Sequence, residues 1–307
     1  MANGNWSASR ISTFHSCPLK YYYTYVKKWV SSIPADNTAA NKGLAFHETV
    51  EKYTTGMDKD TLHKLMESKI EEYHVDTNEY DEFGALERFY LFWDEYIVPR
   101  EKEGFIVKQE SWASNKEESN KEESSKFSDN PKLLDGPLNE PFVGALDLFL
   151  ENPNTGEYII FDYKSGKSPV ATKYRPQLIL YAYLIGLNKG YTLAQMAEKC
   201  KLFVFFPLAK NEDIDKLIDP KDKMFASVKA LRLTEKDIEN TINDYKETID
   251  NIHNMDWENP DANKLATSNF LCQWCDYCGS KPNRGGFMGC PASKDFMTNN
   301  AIFTLKS

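Results

Sequence analysis

A mixed α/β fold, with helices set around a small mixed sheet, is what this sequence predicts. Apolar residues recur at helical spacing through roughly the first hundred positions. Between 104 and 164 the pattern becomes that of strands, and a helical period returns from 177.

Taken in order, helices are expected over 11–29, 39–53, 61–73 and 81–98. A strand over 104–110 follows. Strands over 142–150 and 158–164 then form a hairpin, because the Asn152-Pro-Asn-Thr-Gly156 segment supplies the residues a turn needs. A helix over 177–187, a strand over 201–206 and an amphipathic helix over 235–252 complete the set. Before the hairpin, Asn115-Lys-Glu-Glu-Ser119 is followed at once by Asn120-Lys-Glu-Glu-Ser124. Such a polar tandem repeat cannot bury a core, so about 113–130 is expected to be a mobile loop. The expected layout is a helical region over 1–100, a core over 101–255 and a cysteine-rich region over 256–307, all in one integrated domain.

Composition sets the bounds. The 307 residues suffice for one elaborated domain or two small ones. With 41% hydrophobic and 27% charged residues, the balance is that of a soluble globular protein. No stretch approaches the roughly 20 apolar residues of a membrane span, and the polar start Met1-Ala-Asn-Gly-Asn-Trp6 is unlike a signal peptide. A cytoplasmic location without membrane contact is expected. A net charge of -9 argues against indiscriminate binding to polyanions, so any nucleic-acid surface must be a local basic patch. Acidity remains compatible with chelating carboxylates, because a bound cation reverses the local sign.

The residues that carry chemistry begin with Asp162-Tyr163-Lys164, which closes the apolar run Tyr158-Ile-Ile-Phe161 fifteen residues after Asp147. Two carboxylates on neighbouring strands can hold a divalent cation, and a lysine two positions past the second shares its strand face. That places a positive charge where a scissile phosphate would sit. The tripeptide alone says little: Asp244-Tyr245-Lys246 repeats it within an amphipathic helix, where it reads as a solvated face. Context separates the two copies. Only the first follows an apolar strand and has Gly144-Ala-Leu-Asp147 on the strand before it.

Upstream, Gly43-Leu-Ala-Phe-His47 places an imidazole that is a candidate third ligand. Downstream, Gln177 and Tyr181 project from one helical face, suited to contacting phosphates or holding Lys164. In order, Gly43-x3-His47, Gly144-x2-Asp147, Asp162-x-Lys164 and Gln177-x3-Tyr181 form a series that resembles the RecB-like branch of the PD-(D/E)XK nuclease superfamily. That branch includes CRISPR-associated RecB-like exonucleases and their phage and helicase-fused relatives. The likeness covers almost the whole chain, from near Ser9 to Cys290, and implies a restriction-endonuclease-like core. It further implies that His47, Asp147 and Asp162, with the Tyr163 carbonyl, bind Mg²⁺ or Mn²⁺, and that Lys164 serves the attacking water. Lys167, Lys173 and Arg175 are candidates for phosphate contacts. Glu110 matches a further acidic position only loosely.

Six cysteines are present, and Cys272, Cys275, Cys278 and Cys290 lie within nineteen residues. Thiolates at C-x2-C spacing reach one soft metal, and these four alone suggest structural zinc. The resemblance implies instead a 4Fe-4S cluster held by one N-terminal and three C-terminal cysteines. Cys17, ahead of Pro18, matches the N-terminal position. Cys17, Cys272, Cys275 and Cys290 are the expected set, with Cys278 the alternate for the fourth place. Cys200 reads as a core thiol without a metal. Around Cys17, Lys20, Lys27 and Lys28 with Tyr21, Tyr22, Tyr23 and Tyr25 suit either a packed aromatic core or single-stranded DNA.

The expected function is a metal-dependent DNA exonuclease acting on single strands or free ends in recombination, repair or replication. For a phage-encoded chain the location would be the host cytoplasm. A helicase or recombination partner is expected by family analogy. The competing expectation is a non-catalytic DNA-binding or scaffold subunit that keeps the fold and the cluster.

Overall fold

A computed structural model of the chain describes residues 5–28, 38–76, 82–116, 132–166, 170–208, 217–219, 224–225 and 227–268, together with Cys272, Cys275, Tyr277 and Cys290. Lys167, Cys278 and most of the expected loop at about 113–130 lie outside the described residues.

Helices α1 (Ala8–Ser16) and α2 (Pro18–Tyr21) come first, α2 running into a π-helical turn at Tyr22–Val26. The single helix expected over 11–29 is therefore broken at Cys17. Pro18 drives the residue before it out of the helical region, and Cys17 is accordingly extended at φ -165° and ψ 106°. Cys17 ends α1 by donating its N–H to the Thr13 carbonyl. It also caps α2, its thiol accepting the Lys20 N–H at 3.5 Å.

Then come α3 (Thr38–Val50), α4 (Lys59–Glu72) and α5 (Glu82–Phe92), the last continuing through a π-helical turn at Trp93–Ile97 into α6 (Val98–Lys102). The strands and helices after it are β1 (Ile106–Ser114), β2 (Val143–Glu151), β3 (Tyr158–Tyr163), α7 (Arg175–Asn188), α8 (Leu193–Lys199), β4 (Cys200–Phe205), β5 (Leu217–Asp219), β6 (Met224–Phe225), β7 (Val228–Leu231), α9 (Glu235–His253) and α10 (Ala262–Leu265). Strand β1 runs past the expected end at 110, because pairing with β2 resumes from Ser111↔Leu146 to Ser114↔Val143. Helix α8 was not expected, although a capping box of Thr192 and Gln195 marks its start.

The chain divides into two compact units, one of residues 38–243 and one of residues 1–37 with 244–307. The larger unit holds a five-stranded sheet in the order β1-β2-β3-β4-β7. Only the β3 and β4 pair is parallel, and α7 with α8 makes its crossover. Leu148, Leu150, Phe161, Phe203 and Phe205 of the sheet pack with Phe46, Leu86, Phe89 and Trp93 of the preceding helices in one apolar core. Helix α7 is buried from Leu178 through Leu184, and the Tyr158 hydroxyl donates to the Ala182 carbonyl at 3.0 Å. Strand β3 is buried along its whole length, as expected for a strand covered on both faces.

In the smaller unit, the Arg10 guanidinium lies 3.9 Å from the Trp6 ring centre and donates to the Tyr21 hydroxyl through Nε and Nη2. A second cluster joins Leu19, Tyr22 and Leu265 with Cys17, Cys272, Cys275 and Cys290.

Candidate active site

Antiparallel pairing of β2 with β3 brings Asp147 beside the end of β3, and the backbone makes the first link. The Tyr163 N–H donates to Asp147 Oδ2 at 2.6 Å. The Tyr163 carbonyl lies 3.2 Å from His47 Nε2, while His47 Nδ1 lies 3.4 Å from Asp147 Oδ1. Helix α3 delivers His47 there because Gly43, one turn earlier, lets the helix approach the chain beyond β3. A Cβ at Gly43 would fall 2.8 Å from Ser165 Oγ. Burial pulls the His47 imidazolium down, but its hydrogen bond to Asp147 and that residue's charge outweigh it, and the net displacement is upward.

Asp162 is 3% exposed. Its Oδ1 accepts from Lys164 Nζ at 2.8 Å and from Gln177 Nε2 at 3.2 Å. Oδ2 also lies 2.7 Å from Lys164 Nζ, yet no donor meets it in hydrogen-bond geometry. Desolvation raises the Asp162 carboxyl to about 6. The Lys164 charge opposes that rise and the Asp147 charge adds to it.

Gln177 is fixed in turn by Tyr181, whose hydroxyl accepts from Nε2 at 2.9 Å. The Tyr181 ring occupies the space a side chain at 144 would need: a Cβ at Gly144 would sit 2.3 Å from its Cε1. Both glycines of the motif series are thus places of close approach, one for His47 and one for the support of Asp162. Lys164 also lies over the Tyr174 ring, 4.9 Å from its centre, and Lys173 lies 4.7 Å from the same ring. Arg175 is engaged elsewhere, with Asp237 Oδ2 at 2.5 Å and the Arg232 carbonyl at 2.9 Å.

The β1 and β2 ladder skips one residue on each strand, Glu110 and Asp147. Glu110 is left-handed at φ 46°, a conformation that costs about 1–3 kcal/mol for a non-glycine residue. Its carboxyl shares a hydrogen bond with Glu51, one turn beyond His47 and just past the end of α3. That bond, with burial, pushes Glu110 up. Glu51 was missed in the sequence, although its spacing of four from His47 was available. Tyr174 and Ser165 were not identified as site neighbours either, because neither belongs to a spaced motif.

A family model described as the PD-(D/E)XK nuclease superfamily matches residues 5–280. The chain belongs to that superfamily. No curated protein matches it. The five-stranded mixed sheet flanked by helices agrees with the restriction-endonuclease-like fold of the PD-(D/E)XK nucleases. Membership points to a nuclease acting on DNA, and PD-(D/E)XK nucleases usually use Mg²⁺ or Mn²⁺. Among the described residues no helix is long and apolar enough to cross a membrane.

The residues present fit such an ion in kind. They offer carboxylate and carbonyl oxygens plus one imidazole, and the buried Oδ2 of Asp162 has the Lys164 ammonium beside it but no donor in hydrogen-bond geometry. Among the described residues no three His, Cys, Asp or Glu side chains already converge on one point. Here His47 pairs with Asp147, and Lys164 takes both oxygens of Asp162. The cysteines behave similarly: Cys17, Cys272, Cys275 and Cys290 share one apolar cluster without forming a closed set. Cys200 is buried in β4, and desolvation pushes its thiol up, as suits a packed thiol.

Proposed function

We propose that the protein is a metal-dependent DNA exonuclease that hydrolyses phosphodiester bonds of single strands or strand ends, in recombination, repair or replication. The observation that carries this reading is the meeting of Asp147, from the middle of β2, with Asp162 and the Tyr163 carbonyl at the end of β3 and His47 of α3, Lys164 being paired to Asp162. These four groups would hold Mg²⁺ or Mn²⁺. The ion supplies Lewis-acid stabilisation of the phosphoryl charge and a more acidic water.

The remaining work falls to the chain. Lys164 places a cation beside the scissile phosphate and orients the water, and its contacts with Asp162 and the Tyr174 ring hold it at that point. Gln177 fixes the direction of the Asp162 carboxylate, and Tyr181 fixes Gln177. His47 Nε2 donates to the Tyr163 carbonyl, which keeps α3 against the end of β3. Lys173, exposed beyond Tyr174, is placed to meet a flanking phosphate.

The same reading assigns a 4Fe-4S cluster to Cys17, Cys272, Cys275 and Cys290. Its support is their common apolar cluster in the smaller unit and the break at Pro18 that turns Cys17 out of helix geometry. The role assigned is structural: thiolates far apart in sequence tied to one centre couple cluster binding to folding.

The test is degradation of end-labelled linear and of circular single-stranded DNA with Mg²⁺ or Mn²⁺. Loss of the linear substrate alone is expected, falling at least about 100-fold in Lys164→Ala. Equal activity in Lys164→Ala and the wild type would overturn the catalytic assignment.

A further inference from the structure

Strand β1 is the edge of the sheet, and among the described residues its Trp112 is the most exposed large apolar side chain, at 76%. Leaving an indole in water forfeits the burial that makes tryptophan useful in a core, so the position invites an occupant. Trp112 lines a cavity of about 400 Å³ with Lys108, Lys116 and Lys189 over a floor of Leu146 and Phe149. One carboxylate, Glu151, lies among the three lysines. It is held by Lys108 at 2.7 Å and Lys189 at 3.0 Å. Among the described residues no carboxylate pairs with Lys116. The mouth therefore combines an aromatic face with an excess of positive charge, on a chain whose net charge is -9.

The position relates this cavity to the cleavage site. Trp112 is the register partner of Ala145, two residues before Asp147 on β2. Two residues of strand and one strand spacing amount to about 8 Å. An extended single strand that crosses the metal-binding carboxylates therefore passes Trp112 within a few nucleotides.

We propose that this cavity seats an unpaired base of the substrate strand, stacked on Trp112, with the adjoining phosphate on Lys116. The proposal deepens the nuclease reading and rests on it. A single strand is the fitting partner because its bases expose their faces, whereas a duplex keeps them stacked on one another. A second copy of this chain adding a strand to β1 is disfavoured by Lys108 and Lys116, since edge lysines repel a like edge.

The experiment is equilibrium binding of a short labelled oligonucleotide, single-stranded or duplex, to the full chain with chelator present, so that hydrolysis does not enter. Trp112→Ala should weaken single-strand binding about 5- to 150-fold, the factor that about 1–3 kcal/mol per stacked base implies. Trp112→Phe should retain most of the affinity, and Lys116→Ala should flatten the salt dependence by about one phosphate contact. Duplex binding should change less than single-strand binding. Single-strand binding by Trp112→Ala that matches the wild type would overturn the proposal, as would equal losses for single strand and duplex. Sedimentation showing a dimer that Trp112→Ala dissolves, with single-strand binding intact, would assign the face to self-association instead. Failure of the nuclease reading would appear separately, as wild-type protein that cleaves no DNA with Mg²⁺ or Mn²⁺.

Discussion

Replacing Asp162 by asparagine should abolish cleavage while making the protein more stable at neutral pH. Asp162 is 3% exposed, and burial raises its carboxyl from 3.8 to about 6 even with Lys164 alongside. At 1.36 kcal/mol per pH unit, ionising this group in the folded protein costs about 3 kcal/mol more than in the unfolded chain. Between 3.8 and 6 the folded protein keeps a proton that the unfolded chain has released, so wild-type stability falls as pH rises through that window. The cost is complete above about pH 6 and absent below about pH 4. Asparagine keeps the neutral shape at every pH. The variant should therefore gain up to about 3 kcal/mol at pH 8 and nothing at pH 4, at roughly 2–4 °C of melting temperature per kcal/mol. Urea unfolding of both proteins in chelator, from pH 4 to pH 8, measures the difference directly. Adding Mg²⁺ or Mn²⁺ should stabilise the wild type and leave the variant unmoved, because a ligand stabilises only the state that binds it. A variant less stable than the wild type at pH 8, or a stability difference that does not vary with pH, would refute the reasoning.

Gly144→Ala should cost about 1–3 kcal/mol and most of the activity, since the new methyl would meet the Tyr181 ring at 2.3 Å and displace the support of Gln177. Combined with Tyr181→Leu, the stability loss should be smaller than the sum of the single losses, as a double-mutant cycle would show. Cys17→Ala should lower the bound iron and the visible absorbance of protein purified anaerobically, whereas Cys200→Ala should leave both unchanged. Zinc recovered in place of iron would move the assignment to a structural zinc site.

Much of the site could be read from residue order. Asp147, Asp162 and Lys164 were placed on neighbouring strands by apolar runs and a turn signal, and the structure brings them together there. The spacing of Gln177 and Tyr181 suggested a shared helical face, and the two are hydrogen-bonded. The sequence hid what depends on three-dimensional closeness. Nothing local announces that Gly43 faces Ser165 or that Gly144 faces Tyr181, because each clash involves a partner far along the chain. Glu51 escaped notice for the same reason and Glu110 matched an acidic position only loosely, while the left-handed turn at Glu110 breaks the strand pattern that would have carried the prediction through to Ser114. The expected helix over 11–29 failed on a local rule that was available, the effect of Pro18 on Cys17.

Tyr163 has one consequence for how this site can change. Its N–H serves Asp147 and its carbonyl faces His47, so both of these contacts are made by backbone atoms that every amino acid except proline possesses. Its ring belongs to the core, with ring centres 6.2 Å from Phe46, 6.3 Å from Phe89 and 5.8 Å from Phe205. The middle position of Asp162-Tyr163-Lys164 is therefore constrained by volume while its two neighbours are constrained by charge. A library randomised at 163 should accept phenylalanine and reject small or charged residues, so a position written as unspecified in the motif would prove one of its least permissive.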